Sequence, residues 1–354
     1  MFYLFRKFFI RTLIVSFWIG VIFLFLFFPR VTQLLRSGKS LTIFTFPLLV
    51  DAQYISQFEK RTGAKLHIHY YETNDALLAK LRSTDQHGYD IVFPSDYALG
   101  QLIQEGHLQK LDHLKLNFFD RINPQLRGLY SDPKNEYSTP YLWEVYGLGY
   151  DKKQFPDGPP LASWATLFDE KISPAHIGML NNVREAVAIA AFYLFGFAQN
   201  LTDAQLQQVQ DILLNQKRRV SVYTDLRGDY LLLSETCSVI ACPAGDVWMA
   251  QDDRIEFLLP KEGSFVSVDN ICIPKESTNT ELVYQFINFL YEVEVLKHHS
   301  DKYYFFPALT LVPFFAKGQA VMEHTLKNFD KFHFFTAAAS ERKLNDIWIA
   351  LKGR

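Results

Sequence analysis

The sequence predicts an α/β fold with a mainly parallel sheet. Short runs rich in β-branched and aromatic residues alternate with amphipathic segments along most of the 354-residue chain. Hydrophobic residues make up 49% of the chain and charged residues 21%, which is typical of a globular protein and not of a disordered one. A chain of this length can form one large core or two domains.

The first half of the chain shows the alternation of strands and helices clearly. A strand is predicted over 41–46, and a helix over 51–62 ends at Gly63, a common helix stop. His67 and His69 share one face of the next strand, and we interpret them as surface residues because no third or fourth metal ligand lies nearby in the sequence. The other predicted elements are strands over 66–71 and 89–93 and helices over 75–83 and 99–105.

The second half contains two segments that we interpret as crossings between domains. The run over 137–150 is typical of one long extended segment, because no cluster of polar, turn-forming residues interrupts it. The segment 256–260 leads into a second strand-like run over 260–274. The other predicted elements are strands over 177–180, 219–223 and 237–242 and helices over 183–195, 202–215 and 281–292, with a further helix starting in 244–248.

The N-terminus has the pattern of an export signal or membrane anchor. Arg6, Lys7 and Arg11 precede an uncharged run of 18 residues over 12–29, which is just long enough to span a bilayer. No Ala-x-Ala-like cleavage site follows, and no cysteine is close enough to carry a lipid. We therefore expect an exported protein held at the inner membrane by an uncleaved anchor; the alternative is a cleaved signal with an atypical site.

The net charge and the cysteine spacing argue against a nucleic-acid-binding surface and against a zinc site. The formal net charge of −2 argues against a nucleic-acid-binding protein, which would usually show a basic stripe. The three cysteines are Cys237, Cys242 and Cys272, and their spacing matches no zinc pattern. We expect them to be small buried hydrophobic residues.

Three residues follow the ends of predicted strands, where ligands bind in open α/β sheets. They are Phe46, Ser95 and Tyr97. Ser95 is also a favoured helix N-cap residue, and both roles can hold at once because a cap lies at the mouth of the sheet. We expect these three side chains to lie at one rim.

Three carboxylates occupy comparable positions. Glu185 lies in the first turn of a predicted helix, Asp246 follows the strand that ends near Cys242, and Asp269 interrupts the apolar run of the second crossing. A carboxylate in an apolar strand is unfavourable unless a partner or a ligand compensates its charge. Glu185 and Asp246 taken singly are explained by the helix dipole, but three acids at equivalent positions favour a cationic pocket.

Aromatic side chains and one arginine complete the candidate pocket. Aromatic faces attract cations, and the candidates are Phe46, Tyr97 and Tyr304. The alternative is that Arg184 pairs with one of the three acids and that no ligand is involved.

The order and spacing of several short blocks resemble those of the periplasmic spermidine/putrescine-binding proteins of polyamine ABC transporters. The resemblance covers about residues 41–354. The blocks are YETND at 71–75, YDIVFPS at 89–95, YLW at 141–143, RE at 184–185, AGDVW at 244–248, PKEG at 260–263 followed by Asp269, and INFL at 287–290.

This resemblance implies the type II periplasmic binding protein fold, in which two α/β lobes joined by two crossings close on a ligand. It implies a signal or anchor segment over 1–39, one lobe from 40–143 plus 268–312, and a second lobe from 144–267 plus 313–354. The resemblance, together with the aromatic candidate Phe46, implies the ligand-binding residues Phe46, Ser95, Tyr97, Glu185, Asp246, Asp269 and Tyr304.

The chain departs from the family pattern at several pocket positions. Where the family has an Asn-Trp-x-(Asp/Glu)-Tyr run, this chain has Thr-Phe-Pro-Leu-Leu over 45–49, so an acid and a tyrosine become Leu48 and Leu49. Asn182 stands where spermidine binders carry Asp, Pro243 where a tryptophan is common, and Ser267 where another tryptophan is common. The pocket keeps one acidic end, so both an ordinary polyamine and an amine with a single cationic head remain open.

The resemblance predicts a monomeric periplasmic receptor that delivers an amine to an ABC permease. The alternative is a membrane-anchored sensor of the same fold that is not coupled to transport. The chain has no Gly-x-Ser-x-Gly elbow, no phosphate-cradling glycine loop and no His-Glu-x-x-His motif, and His298 and His299 are adjacent on a helix and point apart. We therefore expect no catalytic residues, no cofactor and no metal.

Overall fold

The computed structural model describes residues 17–18, 39–83, 88–224 and 227–353. Apart from residues 17–18, the predicted anchor over 12–29 lies outside these ranges. Within the ranges, no helix is both long enough and apolar enough to cross a membrane.

Strands and helices alternate through most of the described chain, as the sequence predicts. The strands are β1 (Ser40–Thr45), β2 (Lys65–Tyr70), β3 (Ile91–Val92), β4 (Ser138–Asp151), β5 (Ile177–Leu180), β6 (Val220–Thr224), β7 (Val239–Pro243), β8 (Ile255–Leu258), β9 (Ser264–Cys272), β10 (Phe306–Pro307) and β11 (Phe332–Phe334). The helices are α1 (Ala52–Thr62), α2 (Asn74–Arg82), α3 (Asp96–Gln104), α4 (Ala165–Phe168), α5 (Val183–Phe195), α6 (Asp203–Gln216), α7 (Gly228–Leu233), α8 (Ala244–Trp248), α9 (Thr280–Leu290), α10 (Val293–Tyr303), α11 (Ala316–Lys327) and α12 (Glu341–Lys352).

The sheet is mixed, with parallel strands at both ends and antiparallel strands in the middle. Its order is β2-β1-β3-β9-β4-β7-β5-β6, while β8 and β10 pair with β4 and β11 pairs with β9. The outer pairs β1–β2, β1–β3, β5–β6 and β5–β7 are parallel. The long strands β4 and β9 are the two predicted crossings. They run in opposite directions and pair with each other along the sheet.

The two crossing strands pass from one hydrophobic core to another. On β4, residues up to Val145 pack in a first core, whereas Tyr146 and the residues after it pack in a second. On β9, Phe265 belongs to the second core and Val266 to the first. Val145 and Val266 are paired in the sheet, so both strands change core at the same level.

The three cysteines are free and buried, as expected. Cys237 lies just before β7 and not in it, because the strand begins only at Val239. The predicted strand over 89–93 shortens to Ile91–Val92.

Asp51 fixes the start of the first helix and ties it to a distant one. Its side chain accepts a hydrogen bond from the Gln53 amide at 2.7 Å, which makes it the N-cap of α1. It also accepts hydrogen bonds from Lys302 Nζ and Tyr303 Oη, both at 2.7 Å. Burial alone would raise its pKa, but these hydrogen bonds hold the pKa of Asp51 well below its ordinary value.

Asp51→Ala is expected to lower the free energy of unfolding by about 3 kcal/mol. The change removes a helix cap and leaves the Lys302 and Tyr303 donors on α10 without their acceptor. Urea denaturation provides the measurement. Asp112→Ala is the matched control, because Asp112 also caps a short helix through the Leu114 amide (3.1 Å), and it is expected to cost about 1 kcal/mol. Equal losses in the two variants would contradict a role for Asp51 in joining α1 to α10.

Candidate functional site

The fold brings the end of β3 directly against the second crossing. Ser95 and Asp269 form an isolated antiparallel bridge. Ser95 is the N-cap residue of α3 by position, but its side chain makes no capping hydrogen bond. Its buried Oγ has no hydrogen-bond partner in the described part of the chain. The Ser95 hydroxyl is therefore available to a ligand. A role as helix N-cap alone does not explain why this buried hydroxyl makes no hydrogen bond.

Asp269 is a half-buried carboxylate without a countercharge. In the ranges that the structure describes, no hydrogen bond or ion pair reaches its side chain. Burial, followed by the nearby negative charge of Asp96, raises the pKa of Asp269 to about 7. A cation bound next to the Asp269 carboxylate would lower its pKa again.

Asp96 is a second carboxylate, close enough to Asp269 to act on it electrostatically. The sequence analysis did not single out Asp96. It is 2% exposed and accepts hydrogen bonds from Tyr130 Oη at 2.9 Å and from the Val268 amide at 3.5 Å. Burial raises the pKa of Asp96 to about 6. Its position directly after Ser95 at a strand end is the sequence signal that could have found it.

Asp246 lies at the start of α8, as the sequence predicts. Its Oδ2 accepts a hydrogen bond from the Gly228 amide at 3.2 Å. Burial raises the pKa of Asp246 to about 6. Asp246 lies in the first turn of α8 but is not its cap, because the N-cap residue is Pro243.

Glu185 lies in the first turn of α5, and Asn182 caps that helix. The Asn182 side chain accepts hydrogen bonds from the amides of Arg184 at 2.9 Å and Glu185 at 3.4 Å. Burial raises the pKa of Tyr97, and the charges of Asp75 and Glu185 add to the shift. Tyr97 lies on α3, so the Glu185 carboxylate acts electrostatically on a residue that follows the β3 end of the sheet.

Arg184 is buried and pairs with an acid outside the predicted pocket. Its guanidinium forms an ion pair with Glu341 on α12 and lies over the Tyr97 ring, 4.4 Å from the centroid. In the described residues, Glu341 is its only ion-pair partner. The alternative in which Arg184 neutralises Glu185, Asp246 or Asp269 is not what the structure shows. One face of Tyr97 is covered by this cation, so a ligand can approach only the other.

Phe46 and Tyr304 lie at the edges of the candidate site. The half-buried Phe46 follows β1 and packs edge-on against Tyr71, with ring centroids 5.0 Å apart. Tyr304 ends α10 in the left-handed conformation at φ 62° and packs against Phe315 at 4.8 Å. The backbone of Tyr304 lies next to Gly245, so this tyrosine adjoins the helix that carries Asp246.

Glu144 is a further acid at the site, and the sequence analysis missed it. It lies on β4 opposite Ser267 of β9, and its Oε1 accepts a hydrogen bond from Tyr146 Oη at 3.1 Å. Burial raises its pKa well above the ordinary value, and the negative charges of Asp269, Asp246 and Glu185 add to the shift. The signal was the one that identified Asp269: a single carboxylate in an apolar extended run.

A separate cavity of about 440 Å³ lies between the β8–β9 turn and α11. Its titratable lining residues, in the part of the chain that the structure describes, are Lys261, His324 and Lys331. Its positive lining is unsuited to an amine, so it does not compete with the acidic cluster as an amine site.

The acidic cluster lies on a framework of two cores joined by paired crossing strands, and the comparison with known families identifies this framework. The model of a family described as bacterial extracellular solute-binding protein matches residues 53–321. The chain belongs to this family. This confirms the predicted resemblance and the solute-binding role.

The chain is similar to the putrescine-binding periplasmic protein of Pseudomonas aeruginosa, with 28% identity over 75% of this chain and 77% of that protein. It is similar at the same identity to the spermidine/putrescine-binding periplasmic protein of Escherichia coli, over 75% of this chain and 76% of the relative. A solved structure titled putative spermidine/putrescine ABC transporter, from Listeria monocytogenes, is 26% identical with a TM-score of 0.76 and covers 89% of this chain and 99% of that one.

The TpPotD lipoprotein of Treponema pallidum shows the shared fold at lower identity. Its structure has a TM-score of 0.77 at 23% identity and covers 89% of this chain and 100% of that one. The likeness confirms the predicted periplasmic binding protein fold of two α/β lobes joined by crossings. The acidic cluster therefore lies on the fold of a periplasmic binding protein.

Proposed function

We propose that this solute-binding protein captures a polyamine or a related cationic amine outside the cytoplasm and delivers it to an ABC permease. One observation carries the proposal: carboxylates from separate elements gather around Glu144. Asp269 comes from β9, Asp246 from α8 and Glu185 from α5, and each raises the pKa of Glu144 by its charge, in addition to burial. Carboxylates held together in this way form charge-assisted hydrogen bonds to an ammonium group.

The proposed ligand lies between two lobes. Lobe 1 comprises 40–143 plus 268–312 and lobe 2 comprises 144–267 plus 313–354. The change of core at the Val145–Val266 pair supports the two boundaries within the crossing strands, at 143/144 and 267/268. The proposed contacts are Phe46, Ser95, Tyr97, Asp269 and Tyr304 from lobe 1 and Glu185 and Asp246 from lobe 2. Closure of the lobes would couple the two sets of contacts.

The names of the relatives support this ligand class. Both curated relatives are periplasmic proteins named for putrescine, one of them also for spermidine. We propose the same compartment for this chain, as a monomer that meets its permease at the membrane.

A second candidate function is that of a membrane-anchored sensor of the same fold. The apolar run over 12–29, which no Ala-x-Ala-like site follows, favours it. A neighbouring permease and ATPase gene pair, and loss of amine uptake on deletion, would favour the transport receptor. Normal uptake in the deletion strain would favour the sensor.

A thermal-shift screen of the full chain tests the ligand class. The panel is putrescine, spermidine, cadaverine, agmatine and cationic amino acids. At least one of them is expected to raise the unfolding temperature by several degrees at about a hundred times its Kd, because binding to the folded state alone then adds about 2.7 kcal/mol. No shift with any amine at millimolar concentration would contradict the proposal.

A further inference from the structure

Glu144 and Asp269 share one face of the paired crossing strands. Glu144 stands directly opposite Ser267, so their side chains point to the same side of the sheet. Asp269 lies two residues beyond Ser267 and therefore on that side as well. It is the diagonal neighbour of Glu144, a position that long side chains can reach across.

The residue opposite Glu144 has a small side chain. Ser267 is one of the smallest residues that could stand at this position, and both residues are half-buried. Tyr146, on the same face of β4, holds Glu144 by its hydrogen bond. The Glu144 carboxyl is thus positioned by Tyr146 and has only a small side chain across from it.

Acidic groups act on both members of this pair. Burial raises the pKa of Glu144, and the charges of Asp269, Asp246 and Glu185 add to that shift. Burial also raises the pKa of Asp269, and the charge of Asp96 adds to it. In the described residues, no lysine, arginine or histidine pairs with either carboxylate. Two neighbouring carboxylates cannot both ionise in a closed site unless a cation lies between them, so one of them holds a proton when the site is empty.

The segment that follows β1 is apolar. Phe46 is followed by Pro47, Leu48 and Leu49, which carry no charge, and Leu49 is buried in the first core. This segment therefore offers no carboxylate to an ammonium group. The positive charge of a ligand is therefore best placed at the acidic end.

We propose that Glu144 and Asp269 form a central cation subsite and that Glu144 makes this protein select amines with two closely spaced cationic nitrogens over monoamines. Glu144 is then a specificity-determining residue beyond those predicted from the sequence. The inference rests on the proposed function and names the ligand class within it: short diamines, alone or with an apolar substituent. Their second nitrogen displaces the proton that the empty pair retains.

Calorimetric titration of the full chain with putrescine, 1,3-diaminopropane and n-butylamine at pH 7.5 tests this. n-Butylamine has the four-carbon chain of putrescine but lacks its second ammonium group. The wild type is expected to bind each diamine at least tenfold more tightly than n-butylamine. Glu144→Gln is expected to weaken diamine binding about tenfold and n-butylamine binding less than threefold. Glu323→Gln, at an exposed acid on α11, is the control and should change neither.

Two further measurements show whether Glu144→Gln changes amine selectivity or only disturbs folding. Glu144→Gln should keep or raise the unfolding temperature of the empty protein, because it removes the penalty of a raised pKa. It should also reduce the protons released on diamine binding, measured in buffers of different ionisation enthalpy. Equal losses for diamine and monoamine, or no loss for either, would overturn the subsite. If the wild type binds none of these amines or any other amine, the proposed function itself fails.

Discussion

Asp269→Ala is expected to weaken amine binding by at least a hundredfold, beyond detection for a micromolar ligand. The residue supplies a half-buried carboxylate that no described group neutralises, so a bound ammonium group would be its principal partner. Charged hydrogen bonds in a desolvated site contribute about 3 kcal/mol or more when one partner is deleted, which corresponds to more than a hundredfold in Kd. Isothermal titration calorimetry with the tightest amine of the panel gives the measurement.

Glu185→Ala should have the same effect from the other proposed lobe, because closure places both carboxylates on one ligand. The matched control is Glu136→Ala, at an exposed acid that pairs with Lys110 at 3.1 Å, and it should leave Kd unchanged. Unchanged affinity in both Asp269→Ala and Glu185→Ala would rule out the acidic cluster as the binding pocket.

Amine affinity is expected to rise about a hundredfold between pH 5 and pH 8. Asp269, whose pKa burial and Asp96 raise to about 7, and Asp246, whose pKa burial raises to about 6, must lose protons before they can neutralise an ammonium group. For Asp269 alone, the protonated fraction at pH 5 reduces the affinity by about two orders of magnitude, since each pH unit below the pKa costs about 1.4 kcal/mol.

Titrations at pH 5, 6, 7 and 8 check the profile, with circular dichroism to show that the protein stays folded at each pH. The sign is fixed by the direction of the shifts: carboxyl groups with raised pKa oppose a cation at low pH and bind it at high pH. A constant Kd over this interval would contradict the assignment of Asp269 and Asp246 to the pocket.

Much of the fold could be predicted because local signals and tertiary structure agree. Helix α1 begins after the capping Asp51 and ends at Gly63, which takes the left-handed conformation with φ 70°. The β4 run is buried along nearly its whole length, and the sequence shows it as one long extended segment. The mixed sheet was harder to predict, since strand direction depends on how β4 and β9 pair across more than a hundred residues.

Part of the candidate site was predictable from residues that follow a strand or interrupt an apolar run. Ser95 and Asp269 were both expected at the site, and the structure brings them into a bridge. Glu144 and Asp96 show sequence signals of the same kind, but their place in the site depends on neighbours that are distant in sequence, Ser267 and Tyr130. The environment of Arg184 was also not readable, because Glu341 lies 157 residues away.

A crystal structure of the protein with the tightest-binding amine of the panel tests the central claim most directly. The account predicts ligand nitrogens within about 3 Å of the carboxylate oxygens of Asp269 and of Glu185 or Asp246, the usual distance for charged hydrogen bonds. A bound amine whose nitrogens contact none of these carboxylates would contradict it.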